Sequence, residues 1–428
     1  MTIDPARLRQ AARRFGTPVF VTDAAELERA ASDVAGAFPD PWLRMFSIKA
    51  NDVAPIVTRL SSHGYGASVV SRGEWAVAGR AGLPNERIAL EGIGKTDADL
   101  RAAVRAALDG TPLRWIAIES VDEAARLVRI VGAGRPPRPI ELLFRLNPDV
   151  VPETHASLAV GAGGSKFGMT EAELGAAIEV VGAAGAGRLS ARGIHLHVGS
   201  QLGAVDAWRD AVRRALALLG LLRGTYPAFD TLDVGGGFPV APLGQPSPGP
   251  ERFAREFPAL LEGIPEDRRP ARLAVEPGRA LVARAGTLVA RVLHVRDRGG
   301  RQVVLDAGMT ELIRPALYGA VHPVLALTSL GRSFDPAEPA APGGPGAAGR
   351  ELEPASVEGP ICESTDHLGV HRLPPLRRGD LVAIRDAGAY AASLGSTYNG
   401  RPRPPQVIAE PEGSLTLARR RGSIGALG

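Results

Sequence analysis

From about residue 17 to 274, short β-type apolar runs alternate with longer stretches whose apolar residues recur at helical spacing. The runs at 18–21, 44–48, 66–69, 88–90, 115–118, 140–145, 193–197, 231–234 and 272–275 read as strands, and segments such as 97–108 and 171–182 read as the helices between them. A strand followed each time by a helix returns the next strand parallel to the first. About eight such units over about 250 residues fit a closed (β/α)8 TIM-like barrel better than an open doubly wound sheet, which is the alternative. After Glu276 the texture changes. Runs at 288–295, 302–306, 355–357 and 380–385 read as strands joined by turns, with few helical patterns. The expected organisation is an α/β barrel over 22–280 and a β-rich, Greek-key barrel-like domain over 281–428 together with 1–21. Residues 333–350, rich in Pro, Gly and Ala, read as an exposed insertion, and the basic tail after Gly413 as a mobile end.

Composition narrows the class. The chain has 428 residues, 45% hydrophobic and 22% charged, with a net charge of +4. Arg419-Arg420-Arg421 is short and has no interleaved aromatics, so nucleic-acid binding is not expected. Residues 1–10 are polar and charged, and no apolar run approaches membrane-spanning length, so a cytoplasmic enzyme with no membrane partner is the expectation. The single cysteine, Cys362, excludes an internal disulfide and a Cys-based zinc cluster, and no metal site is expected. It is either an inert buried thiol or a chemical group.

Several polar residues stand where barrel strands would end, the edge at which barrel enzymes keep their active sites. Lys49 follows the apolar run 45–48, His195 and His197 alternate along 193–197, Asp233 precedes Gly235-Gly236-Gly237, and Glu276 opens Glu276-Pro277-Gly278-Arg279. Singly, each has an ordinary reading: a solvated lysine, core histidines, a tight turn. Together they suit Schiff-base chemistry on a phosphorylated cofactor. A lysine amine condenses with an aldehyde. Glycines let backbone N–H groups approach a phosphate. A carboxylate keeps a pyridine nitrogen protonated, which makes the ring an electron sink. An imidazole can pack flat on that ring.

In this order the motifs resemble the fold-type III pyridoxal 5'-phosphate (PLP) decarboxylases, the group that contains alanine racemase, ornithine/arginine decarboxylases and diaminopimelate decarboxylase. The resemblance runs from Phe46 to Asn399 and implies the same barrel plus β-rich domain. Ser47-Ile48-Lys49-Ala50-Asn51 is similar to the cofactor-lysine motif, so the resemblance makes Lys49 the Schiff-base residue. It makes His197 the ring-stacking histidine, Ser200, Gly236 and Gly278 phosphate contacts, Glu276 the partner of the pyridine nitrogen, and Arg279 a cofactor and substrate contact. Ser165-Lys166-Phe167-Gly168 also matches.

The C-terminal half resembles the diaminopimelate decarboxylase branch. Arg314-Pro315-Ala316-Leu317-Tyr318 is similar to its stretch with a substrate-binding Arg and Tyr. Gly359-Pro360-Ile361-Cys362-Glu363-Ser364 is similar to its Cys-Glu motif, which implies Cys362 as proton donor and Glu363 as ligand of the distal amine. Asp386-Ala387-Gly388-Ala389-Tyr390 and Tyr398-Asn399-Gly400-Arg401-Pro402 resemble its closing motifs, with Tyr390 touching cofactor and substrate. In that branch the Cys-Glu segment completes the partner subunit's site, so a homodimer is implied. The clamp makes chemical sense: Arg279 and Arg314 offer forked donors to a distal carboxylate, and Glu363 a counter-charge to the distal ammonium.

Three features depart from the branch. Ser68 stands where relatives carry Asp, next to Arg72 where Gly is usual. Glu91-Gly92-Ile93-Gly94-Lys95 replaces an Asn-rich stretch, and the insertion before the Cys-Glu motif is long. Ser68 and Gly92–Gly94 are expected at the pocket rim, where they would retune specificity. The expected reaction is meso-2,6-diaminopimelate to L-lysine and carbon dioxide. A decarboxylase of another diamino acid or a carrier-bound amino acid, a racemase of the same fold type, and a non-catalytic PLP-binding protein are the alternatives. The Cys-Glu motif argues against the racemase, and the second domain against the carrier.

Overall fold

The computed structural model describes residues 3–161, 164–183, 187–241, 246–335 and 351–426. Residues 336–350, most of the expected insertion, lie outside the described residues. The chain divides into two compact units: one runs from Ala31 to Ala241 and from Pro246 to Ala280, and the other comprises residues up to Ala30 and from Leu281 on.

The strand β1 (Val19–Asp23) belongs to the second of these units. The next eight form the barrel: β2 (Leu43–Ser47), β3 (Gly66–Val69), β4 (Ile88–Leu90), β5 (Trp115–Ile118), β6 (Ile140–Leu146), β7 (Leu189–Leu196), β8 (Thr231–Asp233) and β9 (Arg272–Val275). Each pairs in parallel with the next, and β9 returns to β2 through Leu43↔Ala274 and Arg44↔Val275, which closes the ring. Strands β3, β4 and β5 are buried at every residue, as expected where helices cover a parallel sheet from outside. Met45, Ala89, Trp115, Leu143 and Ala274, from β2, β4, β5, β6 and β9, pack together as a core cluster, with Leu43 at its margin. Gly193 allows β7 and β8 to approach: a Cβ there would stand 1.8 Å from the Thr231 carbonyl oxygen. The helix Asp97–Leu108 shows why the crossovers form. Thr96 and Asp99 make a reciprocal capping box, and Leu100, Ala103, Val104 and Ala107 present one buried stripe.

The second unit is β-rich. To β1 it adds β10 (Gly286–Asp297), β11 (Arg301–Leu305), β12 (Val324–Ala326), β13 (Thr328–Ser329), β14 (Arg332–Ser333), β15 (Glu353–Glu358), β16 (His367–Leu373), β17 (Leu381–Ile384), β18 (Gln406–Ala409) and β19 (Leu415–Arg419). The main sheet runs β16-β15-β11-β10-β1-β18-β19, with β17 joining both β10 and β12. The long β10 is its spine, pairing with β1 and β17 along its first half and with β11 from Val292 on, across a bulge between Val292 and His294. Its alternation feeds two cores. Leu288, Ala290 and Val292 enter one, and Val289 enters the other beside Val19, Val21 and Leu8.

The run at 18–21 is therefore a strand of the β-rich sheet, paired Val19↔Val289 and Phe20↔Gln406, and takes no place in the barrel. The tail differs from expectation. Residues 415–419 are not a mobile end but the strand β19, antiparallel to β18, with Leu415 buried and Arg421 donating to the Phe15 and Pro18 carbonyls. Its backbone pairing and one buried leucine outweigh a composition that reads as solvated.

Trp115 is fully buried in the barrel cluster. Replacing it by Ala removes a large apolar side chain that the closed ring cannot collapse around, so Trp115→Ala is expected to lower unfolding stability by about 3–5 kcal/mol in urea denaturation.

Candidate active site

Every barrel strand delivers a polar residue at or just past its C-terminal end. Lys49 sits in the single turn Ile48–Ala50 after β2, and Ser68 on β3. Glu91 follows β4 directly, and Glu119 follows β5. Arg145, His195 and Asp233 are lateral neighbours on β6, β7 and β8, in register as Arg145↔His195 and His195↔Asp233. Glu276 follows β9. Chain closure therefore brings side chains from all over the sequence to one edge.

Charges buried this deeply must be paired or neutral. Arg145 and Glu119 pair at 2.6 Å, both almost completely buried, and Glu119 also accepts the Gly168 N–H at 3.1 Å. Burial pushes the Glu119 carboxyl up, but the Arg145 charge and hydrogen bond outweigh it and hold the group below its ordinary value. Lys95 is buried against Glu123 at 3.0 Å and donates to the Gly92 carbonyl, which pins the 91–95 loop. Three more carboxyls, Glu91, Asp233 and Glu276, are buried close together. His195 Nε2 stands 3.2 Å from Glu276 Oε2 and 3.6 Å from Glu91 Oε2. Asp233 Oδ1 accepts the Gly235 N–H at 2.9 Å. Burial and the neighbouring Glu276 charge raise Glu91 and Asp233 well above the carboxylate range. Burial acts on Glu276 too, but hydrogen bonds from Glu91 and His195 prevail and keep it well below that range. The cluster thus holds one ionised carboxylate, Glu276, facing the Lys49 amine.

His197 accepts the Gly236 N–H on Nδ1 at 3.3 Å. Burial, with the Lys49 and Arg145 charges, drives its pKa well below the ordinary value, so the ring is neutral. The turn Gly235–Gly237 uses glycine for conformation and for space. Gly235 and Gly237 have φ of 68° and 104°, and a Cβ on Gly236 would fall 2.2 Å from the Glu276 carbonyl oxygen. Beside it, Arg279 Nη2 donates to Ser200 Oγ at 3.1 Å, and Gly278 precedes Arg279 at the start of the short helix Arg279–Val282.

These residues fit PLP on an observation independent of the motifs. Glu276 Oε1 is buried and has no hydrogen-bond partner among the described residues, which suits a ring N–H donor. Lys49, His197, Ser200, Gly236, Glu276, Gly278 and Arg279 all belong to the barrel unit. The Gly236 N–H is directed to His197, so a phosphate role for it would replace that long bond.

The remaining residues named from the sequence lie in the β-rich unit. Arg314 is buried, opens the helix Arg314–Tyr318 and lies 5.6 Å over the Tyr318 ring. Burial lowers its pKa, opposed by the nearby Tyr390 and Tyr318. Tyr390 has a φ of 54°, a left-handed conformation that bulky residues rarely adopt and that functional sites often retain. Cys362 and Glu363 are exposed, and the Tyr398 hydroxyl donates to Glu363 Oε1 at 2.7 Å. An inert core thiol is therefore not what Cys362 is.

Ser68 departs from expectation. It is not at a rim but 3% exposed, donating to Glu91 Oε2 at 3.1 Å. Glu119 and Arg145 were not singled out in the sequence. The signal was nonetheless there, because Glu91, Glu119 and Glu276 each directly follow a strand run.

A family model described as the pyridoxal-dependent decarboxylase, pyridoxal binding domain matches residues 24–283. The diaminopimelate decarboxylase of Aquifex aeolicus is 34% identical over 424 residues, covering 98% of this chain and 92% of that protein. That of Vibrio cholerae is 33% identical over 425 residues, covering 98% and 94%. Among solved structures, diaminopimelate decarboxylase from Helicobacter pylori complexed with L-lysine matches with a TM-score of 0.84 at 28% identity, over 98% of both chains.

In the cofactor-free protein, folded His197 resists the proton that the unfolded chain accepts below about pH 6.5. Its contribution therefore destabilises the fold as pH falls through that value. Urea titrations between pH 7.5 and 5.5 are expected to show wild type losing up to about 1.4 kcal/mol per pH unit more than His197→Gln.

Proposed function

The chain belongs to the pyridoxal-dependent decarboxylase family, and from that membership we propose that it converts meso-2,6-diaminopimelate to L-lysine and carbon dioxide, as a PLP-dependent carboxy-lyase. The observation that carries the reading is the buried Glu276, with one oxygen unpartnered among the described residues, on the same barrel edge as Lys49. PLP, when bound, supplies an aldehyde for amine exchange and a ring that accepts the electron pair left by the departing carboxylate.

The chain's own residues supply the rest. Lys49 would hold the cofactor covalently, give way to the substrate amine, and carry a proton on Nζ during the exchange. Glu276, held ionised in a dry site, would keep the ring nitrogen protonated. The neutral His197 ring would cover one ring face without adding a charge there. Ser200, the glycine turn, Gly278 and Arg279 would hold the phosphate end. Arg314, with Tyr318 and Tyr390 around it, is suited to one substrate carboxylate, and Glu363 to the distal ammonium. Cys362 would deliver the proton to the reacting carbon, S–H to C–H.

The exposed Cys362-Glu363 loop supports a homodimer in which each subunit completes its partner's site. Tyr398, 48% exposed and bonded to Glu363, gives that side of the unit aromatic surface to cover. A cytoplasmic setting belongs to the same proposal, since an exposed thiol that serves as an acid needs reducing conditions.

The purified protein with PLP and meso-diaminopimelate is expected to release lysine and carbon dioxide in equal amounts. Turnover on another diamino acid but not on this one would sink the substrate assignment. Lys49→Ala is expected to abolish turnover, and Cys362→Ala to lower kcat by about 10²–10⁴-fold. Mixed and re-equilibrated, the two inactive variants should regain about one quarter of wild-type activity, because half the dimers then carry one intact shared site. No recovery would count against the shared site.

A further inference from the structure

We infer that Glu91 is a positioning residue for the reaction: as a neutral carboxylic acid it donates a hydrogen bond to Glu276, holding that carboxylate anionic and its Oε1 available to the ring nitrogen. The inference rests on the reading of Glu276 as the ring-nitrogen partner and names what sets its state.

The geometry is specific. Glu91 and Glu276 leave strand ends β4 and β9, are 4% and 5% exposed, and hydrogen-bond each other. Two carboxyls in such contact retain a proton between them. The rest of the barrel edge decides which one keeps it. From β7, His195 Nε2 stands nearer to Glu276 than to Glu91, favouring the anion on Glu276. From β8, Asp233 adds a further acidic group. From β5 and β6, Glu119 and Arg145 are engaged with each other, so the Arg145 guanidinium is not spent on Glu91. From β3, Ser68 puts a hydroxyl at 3.1 Å against Glu91 Oε2, and a hydroxyl serves a neutral acid as well as an anion. After β2, the Lys49 amine lies near Glu91 and Glu276.

Glu91, His195 and Glu276 also offer ligand atoms within 4.8 Å of one another, and a bound metal is the competing use of the same atoms. Glu91→Gln separates the two, because a carboxamide replaces a protonated acid as donor but not an anionic ligand.

In cofactor-free protein, folded Glu91 keeps a proton that the unfolded chain releases above about pH 4.5. The Tm of wild type is therefore expected to fall relative to Glu91→Gln as pH rises from 5 to 8.5. A wild-type Tm that holds level or gains relative to Glu91→Gln over the same range would mean an ionised Glu91 and overturn the inference. PLP affinity, measured by fluorescence titration, is expected to drop by about ten- to a hundredfold in Glu91→Ala and to return to within about threefold of wild type in Glu91→Gln. Equal losses in both variants, or stoichiometric zinc whose chelation weakens PLP binding, would also overturn it. Neither readout uses diaminopimelate, so a wrong substrate assignment leaves both results standing.

Discussion

Two rungs of parallel pairing, Leu43 with Ala274 and Arg44 with Val275, close the barrel. Without them Lys49 and Glu276 would stand at opposite edges of an open sheet, some 230 residues apart in the chain. Closure turns sequence distance into lateral neighbourhood. It also removes water from the strand ends, and that removal makes the electrostatics of the site severe. The apolar cluster around Trp115 is the same closure seen from the core, since its members lie on β2, β4, β5, β6 and β9.

Once the edge is dry, each charge there needs an answer, and the barrel supplies several kinds. Arg145 and Glu119 neutralise each other. Lys95 is consumed by Glu123 and the Gly92 carbonyl, so it shapes a loop and offers no second amine to the site. His197 and Glu91 are neutral by protonation state. Of the three clustered carboxyls, Glu276 is the one held below its ordinary value, near Lys49. The site is selective about charge because nearly every other ionisable group has been paired or discharged.

The barrel was legible because its strands are mostly apolar runs separated by helical stretches, the clearest being the capped amphipathic helix 97–108. The strands β16 and β19 were not. The first buries little more than Leu368 and Leu373 and the second little more than Leu415, so their sequences read as solvated chain, and only the backbone partner reveals them. In the site, Lys49, His197 and Glu276 were readable from motifs. Glu119 and Arg145 were passed over because a charged residue after a strand is ordinarily exposed, and what buries these is closure, a property of the whole ring. Ser68 was misplaced for the same reason. A small polar residue reads as rim until a neighbouring strand supplies the acid that it bonds.

The loop that carries Cys362 is organised from beneath by a single side chain. Asp366 takes the Met309 N–H on one carboxylate oxygen and the Ile361 N–H on the other, at 2.6 and 2.7 Å, while its backbone carbonyl accepts the Gly359 N–H. Gly308 and Gly359 make room for it, since a Cβ on either would come within 2.3 Å of its oxygens. The loop is thus pre-formed within the single chain, and association with another subunit need not order it first. Apart from the Tyr398 bond to Glu363, the side-chain fastening lies outside the residues at the tip. Positions 362 and 363 are therefore free to change identity over evolutionary time without unmaking the platform that presents them, so the chemistry delivered by this loop can drift while its shape is inherited.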